Sequence, residues 1–189
     1  MPLPARLRPA ALAACAALAA AVPLLAWQSA GGPASPSAAP PASAYVHAAS
    51  PVAAGRYLTI VGGCNDCHTE RWGETDGKIP EAERLAGNPV GYRGPWGTTY
   101  AANLRMLTQR MTEDRWVQTL KTADGGDGSP PMPWMNTAQM SDRDLRAMYR
   151  YIRGLGPRGE RMPRGVPPGQ EPTTPYVSFT PVQPGGSTR

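Results

Sequence analysis

The chain has few residues that bind metals through a thiol or an imidazole, with three cysteines and two histidines among 189 residues. A structural zinc site needs four such ligands, and these are commonly supplied by two closely spaced pairs. Only one close cysteine pair is present, Cys64 and Cys67, followed directly by His68. Cys15 and His47 are the only other cysteine and histidine in the chain. The sequence therefore disfavours a zinc site.

Two further absences narrow the function classes. No strand-like run leads into Cys64, although such a run is expected before the active site of a thioredoxin-like dithiol protein. The formal net charge is +5, but Arg6 and Arg8 in the N-terminal segment contribute to it. The remainder shows no continuous basic surface interleaved with stacking aromatic residues, so nucleic acid is not expected as a partner.

Two of the three cysteines and one of the two histidines lie in "GGCNDCHTE", residues 62–70, which contains a C-x-x-C-H pattern. This pattern is typical of covalent haem attachment, in which two thiols form thioether bonds with the vinyl groups and the adjacent imidazole binds the iron. We therefore predict one covalently bound haem c, held by Cys64 and Cys67, with His68 as an iron ligand. A redox dithiol and a structural zinc site are the alternatives.

Composition divides the chain into four segments. Residues 1–30 contain two arginines followed by an apolar run at 10–27, which is typical of a signal peptide or a membrane anchor. Residues 31–50 are rich in Ala, Pro and Ser and read as a linker. Residues 51–156 have the length of one small domain. Residues 157–189 form a tail rich in Pro and Gly.

Three fates of the N-terminus are compatible with this pattern. The apolar run is retained as an anchor, or it is removed after Ala42-Ser43-Ala44, or Cys15 becomes a lipidated first residue. In bacteria, haem is attached to C-x-x-C-H outside the cytoplasmic membrane. We therefore expect the domain on the periplasmic side of the inner membrane, either membrane-associated through the N-terminus or soluble after signal cleavage.

Three helices are predicted, over residues 52–62, 112–121 and 141–154. Gly62-Gly63 ends the first, Thr112 caps the second, and Ser141-x-x-Asp144 is a capping box that begins the last. Apolar residues recur at helical spacing in each: Ala53, Tyr57, Ile60 and Val61, then Trp116, Val117 and Leu120, then Leu145, Met148, Tyr149 and Ile152.

A second iron ligand is sought among the eight methionines. Several lie in or beside the predicted helices, where methionine is usually core filler, and one lies in the tail: Met106, Met111, Met140, Met148 and Met162. Met132 stands between Pro131 and Pro133, which restrict its backbone as a metal ligand requires. Met132 is therefore the predicted distal ligand. The alternatives are that Met132 only packs under the Pro-rich turn, or that Met135 is the ligand. His47 lies in the linker and is expected to be solvent-exposed.

The order of a helix, C-x-x-C-H, a Met-Pro loop and a capped last helix resembles the class I c-type cytochromes. In particular, "NPVGYRGPWGTTYAANLR" and "PPMPWMNTAQMSDRDLRAMYRYIRGLGP" resemble a group of bacterial monohaem cytochromes. The resemblance covers residues 51–156. It implies an all-α fold in which the first and last helices cross, with the Gly55–Tyr57 face against Ala147 and Tyr151, around one covalent haem with His68 and Met132 as axial ligands.

The resemblance also includes a long mid-domain loop, which the smallest members of the family lack. By position in this loop, Arg93, Trp96 and Tyr100 are candidate hydrogen-bond donors to the haem propionates. The alternative for Trp96 and Tyr100 is a role in packing the loop.

Two functions remain open. With His/Met ligation the iron is closed to substrates, which suits an electron carrier between redox proteins rather than an enzyme. A membrane or periplasmic dehydrogenase is the expected donor, and an oxidase or another cytochrome the expected acceptor. The alternative is a haem enzyme or gas sensor with an open distal position. Seven arginines between Arg143 and Arg164 form either a solvated surface or a docking patch for an acidic redox partner.

Overall fold

The structure, a computed structural model, describes residues 44–123 and 130–181. The predicted signal or anchor and Cys15 lie outside these residues. No helix in the two described ranges has the length and apolar character needed to cross a membrane. The described elements are α1 Pro51–Val61, α2 Cys64–His68, β1 Gly91–Gly94, β2 Gly97–Tyr100, α3 Leu104–Arg110, α4 Glu113–Thr122, α5 Trp134–Gln139, α6 Asp142–Gly154 and β3 Tyr176–Ser178, with a 3-10 turn at Glu81–Glu83.

The three predicted helices are confirmed as α1, α4 and α6, each within a residue or two of the expected bounds. The Thr112 hydroxyl accepts from Arg115 N–H in the first turn of α4, at 3.2 Å, and so caps the helix. The Ser141 hydroxyl accepts from the Asp144 N–H at 3.1 Å, as a capping box requires. The Asp144 carboxylate accepts from Val46 N–H at 2.9 Å and so ties the segment before α1 to the start of α6.

The first and last helices pack with their backbones in contact. A Cβ atom placed on Gly55 would lie 2.0 Å from the Ala147 carbonyl oxygen and 2.8 Å from the Tyr151 Cβ. The predicted contact of Gly55 with α6 is therefore present, but the inclusion of Tyr57 is wrong, since that side chain is 54% exposed. Close approach at Gly55 turns α1 so that Ala54 and Leu58 are buried, while the expected apolar stripe is exposed: Ala53, Tyr57, Ile60 and Val61.

The core lies between α1, α4 and α6, and the inward faces predicted for the last two are confirmed. Trp116, Val117 and Leu120 of α4 are buried, as are the four apolar residues predicted for α6. The Trp116 indole N–H donates to the Leu145 carbonyl at 2.9 Å. The largest side chain of the core therefore has a hydrogen-bond partner for its one polar group.

The expectation of an all-α fold holds only in part: the described residues are mainly helical, but residues predicted as a mid-domain loop form a hairpin. Strands β1 and β2 pair antiparallel, and β3 pairs with β1 in parallel to complete a sheet of order β2-β1-β3. Gly97 follows the turn with φ 97°, a conformation that favours glycine. The strands are short and glycine-rich, and β3 lies far along the chain, so no alternating pattern announces them.

The segment after Gly156 packs onto the domain. We call residues 157–181 the strap. Val166 exchanges two backbone hydrogen bonds of 2.8 Å with Thr98, and β3 extends the sheet beyond β1. Phe179 lies 6.1 Å from Tyr92 and 6.0 Å from Trp96 between ring centroids. The compact unit therefore includes most of the segment predicted as a tail.

Candidate functional site

The C-x-x-C-H residues lie on the single-turn helix α2, which begins directly after the end of α1. Gly63, with φ 69°, makes the left-handed turn between the two helices. Positions i, i+3 and i+4 of a helix share one face, so Cys64, Cys67 and His68 are presented together. Both thiols are free.

A buried hydrogen-bond network fixes this turn, and it was not anticipated from the sequence. Asn65, one of the two intervening residues of the motif, is 1% exposed. Its amide donates to the Thr59 carbonyl of α1 at 3.2 Å, and its oxygen accepts from the Thr69 hydroxyl at 2.9 Å. Thr69 in turn accepts from Leu85 N–H at 2.8 Å. Buried polar groups that are all paired specify one geometry, so α2 is held against α1.

His68 is oriented for metal binding. Its Nδ1 lies 2.7 Å from the Ala102 carbonyl oxygen. Because a carbonyl only accepts, Nδ1 carries the proton and the neutral ring keeps a lone pair on Nε2. Burial lowers the pKa of His68 and so favours this neutral form. The His68 carbonyl accepts from Gly87 N–H at 2.8 Å, so both the ring and the backbone of the residue are anchored.

The pKa of the first thiol of the motif bears on the redox-dithiol alternative. Burial, ahead of a nearby aspartate and the second thiol, raises the pKa of Cys64 to about 11. Dithiol oxidoreductases depend on the opposite shift, since a reactive thiolate has a lowered pKa. Among the described residues, no group of three or more His, Cys, Asp and Glu side chains is arranged to hold a metal ion.

Sequence reasoning missed Tyr92, which links the motif to the hairpin. Burial, and next the neighbouring Cys67, raises the pKa of the Tyr92 hydroxyl. Tyr92 pairs across the hairpin with Thr99, so the two side chains share one face of the sheet. The Thr99 hydroxyl donates to the Pro130 carbonyl at 2.6 Å. One face of the hairpin therefore contacts both the C-x-x-C-H turn and the start of the Met-Pro loop.

The Met-Pro loop places its two methionines differently. Met132 is half-buried and packs against the hydrophobic core, whereas Met135 is 77% exposed. Trp134 N–H donates to the Met132 carbonyl at 2.9 Å where α5 begins, and the Thr137 hydroxyl ties α5 to the Leu120 carbonyl of α4 at 2.7 Å. Met148 is a core residue, as predicted, with 3% exposure.

The three candidate propionate donors have partners within the protein. The Arg93 guanidinium donates twice to the Glu171 carboxylate, at 2.5 and 2.8 Å. The Trp96 indole donates to the Tyr92 carbonyl at 3.3 Å, and the Tyr100 hydroxyl lies 2.7 Å from that of Thr174. Two of the three polar partners belong to the strap. Propionate binding by these side chains stays a prediction.

The outlying candidates have local partners. His47 is exposed, as predicted, with its ring 4.4 Å from that of Tyr45. Several of the arginines between Arg143 and Arg164 contact side chains of this chain: Arg143 stacks over Tyr45, Arg146 and Arg150 pair with Glu113, Arg158 pairs with Glu83, and Arg153 contacts Tyr149. The use of this surface as a docking patch stays a prediction.

The side chains of the site have the chemistry that haem c needs: two free thiols on one helical turn, an imidazole whose Nε2 is available, and a half-buried thioether. Comparison with known proteins adds no family, since no protein-family model, no curated protein and no solved structure matches this chain.

Proposed function

We propose that this protein is a monohaem c-type cytochrome that carries single electrons between redox proteins. The observation that supports this most strongly is the hydrogen bond from His68 Nδ1 to the Ala102 carbonyl. It sets the tautomer and the orientation of an imidazole next to two free thiols, which is the arrangement that a metal-ligating histidine needs.

In this proposal Cys64 and Cys67 hold the cofactor covalently. Each thiol would be joined to one vinyl group of the haem by a thioether bond, its hydrogen passing to the neighbouring vinyl carbon, so that no oxidant would be needed. His68 Nε2 would bind the iron. When bound, the haem supplies a one-electron couple whose potential depends on the axial ligands and on the polarity of the site.

Met132 is proposed as the second axial ligand. Its half-buried position against the core supports this choice over the exposed Met135. The loop is also attached to the same hairpin face that contacts Cys67. A closed iron with two protein ligands needs little rearrangement on changing oxidation state and keeps substrates away, which suits an electron carrier and not an enzyme.

The proposed place of action is the periplasmic side of the bacterial inner membrane. The support is the N-terminal sequence, in which two arginines precede an apolar run. A membrane or periplasmic dehydrogenase is the proposed electron donor, and an oxidase or another cytochrome the proposed acceptor.

Paired methionine variants test this proposal. Oxidised wild-type protein is expected to show the weak near-infrared band of sulfur-to-iron charge transfer. Met132→Ala should abolish the band, lower the reduction potential and let carbon monoxide bind the reduced iron. Met135→Ala is the matched control and should leave all three properties unchanged.

The outcome of the carbon monoxide experiment separates the two functions. If the reduced wild-type protein binds carbon monoxide rapidly, its iron is open, and the haem enzyme or gas sensor replaces the electron carrier. If only Met135→Ala removes the near-infrared band, the carrier function stands and the ligand assignment is wrong.

A further inference from the structure

The strap contacts the residues whose backbone groups hold His68. The ring donates to the Ala102 carbonyl, and the backbone carbonyl accepts from Gly87 N–H. A Cβ placed on Gly87 would lie 2.7 Å from the Cγ of Met162, a strap residue. The residue that follows Ala102, Asn103, is bonded to the strap directly. The strap therefore packs against the residues that hold both the ring and the backbone of His68.

Asn103 uses all of its side-chain hydrogen-bonding groups in this support. Its oxygen accepts from Met106 N–H at 3.0 Å and so caps α3. Its amide donates to the carbonyls of Arg158 and Glu160, at 2.7 and 3.0 Å. The side chain is 4% exposed. A buried amide with every group paired holds the adjacent Ala102 carbonyl in one position.

The two strap carbonyls converge because of the residue between them. Gly159 has φ 69°, a left-handed conformation that glycine adopts without strain. An added Cβ there would lie 3.4 Å from the Asn103 amide nitrogen. A substitution at Gly159 would thus disturb the two acceptors without changing α3 or His68.

Packing does not replace these hydrogen bonds. A cavity of about 160 Å³ lies beside them, lined by residues of α3 and of the strap that include Met106, Leu107, Met162 and Pro163. Apolar contact between α3 and the strap is incomplete at this point, so the amide of Asn103 is a main polar link between them. The start of α3 is also held by the Leu104 and Arg105 N–H groups, which donate to the Leu85 carbonyl at 3.1 and 3.3 Å. Loss of the Asn103 amide donors should therefore shift the Ala102 carbonyl without unfolding α3.

We propose that Asn103 is a positioning residue for the iron ligand His68, through which residues 158–162 of the strap set the reduction potential of the bound haem. This inference rests on the proposed function. A hydrogen bond from the outer ring N–H makes a ligating imidazole more basic. A more basic imidazole stabilises ferric iron more than ferrous iron, so weakening the bond to Ala102 raises the potential.

The test compares haem-loaded full-length variants by redox titration. Asn103→Ser keeps an oxygen that caps α3 but loses both donors to the strap. We expect the equilibrium constant for reduction to rise on the order of tenfold, which is 59 mV for one electron. Gly159→Ala should shift it in the same direction by less. Asn136→Ser, at an exposed position of α5, is the control and should change nothing.

A spectroscopic readout separates positioning from general loss of stability. In the Met132→Ala background, the iron–histidine stretching frequency of the reduced protein should fall with Asn103→Ser and with Gly159→Ala. Should Asn103→Ser fail to fold, Gly159→Ala alone decides the matter. Haem-loaded variants whose potential and stretching frequency equal those of the control would overturn this inference and leave the proposed function intact. A wild-type protein that takes up no haem would overturn both.

Discussion

The two proposed iron ligands are held in different ways. His68 is anchored through its ring and its backbone, beside a buried network through Asn65 and Thr69. Met132 is half-buried, and its loop is attached by the exposed bond of the Thr99 hydroxyl and, beyond Trp134, by α5. Buried, fully paired polar groups specify one geometry, whereas an exposed bond such as that of Thr99 permits local opening. The histidine side should therefore stay intact when the methionine side opens.

The largest expected effect concerns the scaffold beneath the histidine side. Gly55→Ala should destabilise the protein by about 2–3 kcal/mol, because its Cβ would lie 2.0 Å from the Ala147 carbonyl and must separate α1 from α6. The intrinsic helix preference of alanine, worth about 1 kcal/mol, opposes this effect and is smaller. Urea denaturation measures the free energy of unfolding.

Gly154→Ala is the matched control for that prediction. Gly154 is the last residue of α6, and no atom lies within 4 Å of the position that its Cβ would take. Alanine should therefore leave stability unchanged or raise it by up to about 1 kcal/mol. Equal losses from the two substitutions would contradict a backbone contact at Gly55.

The next effect compares the two sides directly. Asn65→Ala leaves buried partners unpaired on the histidine side and should cost about 2–3 kcal/mol. Thr99→Val removes the exposed bond to Pro130 and a longer one of 3.4 Å to the Tyr92 carbonyl, and it should cost about 0.5–1 kcal/mol. Urea denaturation of both variants measures the two losses of unfolding free energy. A larger loss from Thr99→Val would reverse the comparison.

The Asn65 network can be examined further by a double-mutant cycle. Asn65 and Thr69 bond each other at 2.9 Å, so Asn65→Ala and Thr69→Val should be strongly non-additive. The combined loss should be clearly smaller than the sum of the two single losses. Additive losses would mean that the two residues act independently.

The smallest effect lies at the rim of the same scaffold. The Tyr151 hydroxyl, and with it Arg56, lowers the pKa of Glu81 below 4.5. As the pH falls, Glu81 is protonated in the unfolded chain before it is protonated in the folded protein. The stabilisation is therefore complete above the pKa of Glu81 in the unfolded chain, and it is lost as the pH falls through the lower pKa of Glu81 in the folded protein. Because the Glu81 side chain is 40% exposed, the contribution is a few tenths of a kcal/mol.

Comparison of wild type with Glu81→Gln measures this contribution. Between about pH 6 and about pH 3, the wild type should lose slightly more unfolding free energy than the variant. Identical pH dependence of the two proteins would show that the hydrogen bond from Tyr151 at 2.8 Å does not stabilise the carboxylate.

Local patterns in the sequence allowed part of this structure to be predicted. The caps of α4 and α6 and the inward faces of those helices follow from residue types at fixed spacing. The contact of Gly55 with α6 was expected from the family resemblance alone. The face of α1 did not follow from spacing, because close backbone approach at one glycine overrides apolar periodicity. The hairpin and the strap were missed because β3 pairs with a strand more than 80 residues earlier, and short sequence windows contain no trace of such a partner.

The candidate site was predicted to a similar extent. Cys64, Cys67 and His68 are adjacent in sequence, so their grouping needed no tertiary information. The partners of the site needed the fold: Ala102 reaches His68 from 34 residues away, and Tyr92 reaches Cys67 only because the hairpin forms. The role of Asn103 depends on strap carbonyls that carry no side-chain signal at all.

The most direct measurement is the mass of the denatured full-length protein after expression with haem-attachment machinery. We expect each chain to gain the mass of one haem, the haem to stay attached on a denaturing gel, and Cys64→Ala/Cys67→Ala to lose it. A wild-type chain with no added haem, or one that binds a stoichiometric zinc ion instead, would rule out covalent haem attachment.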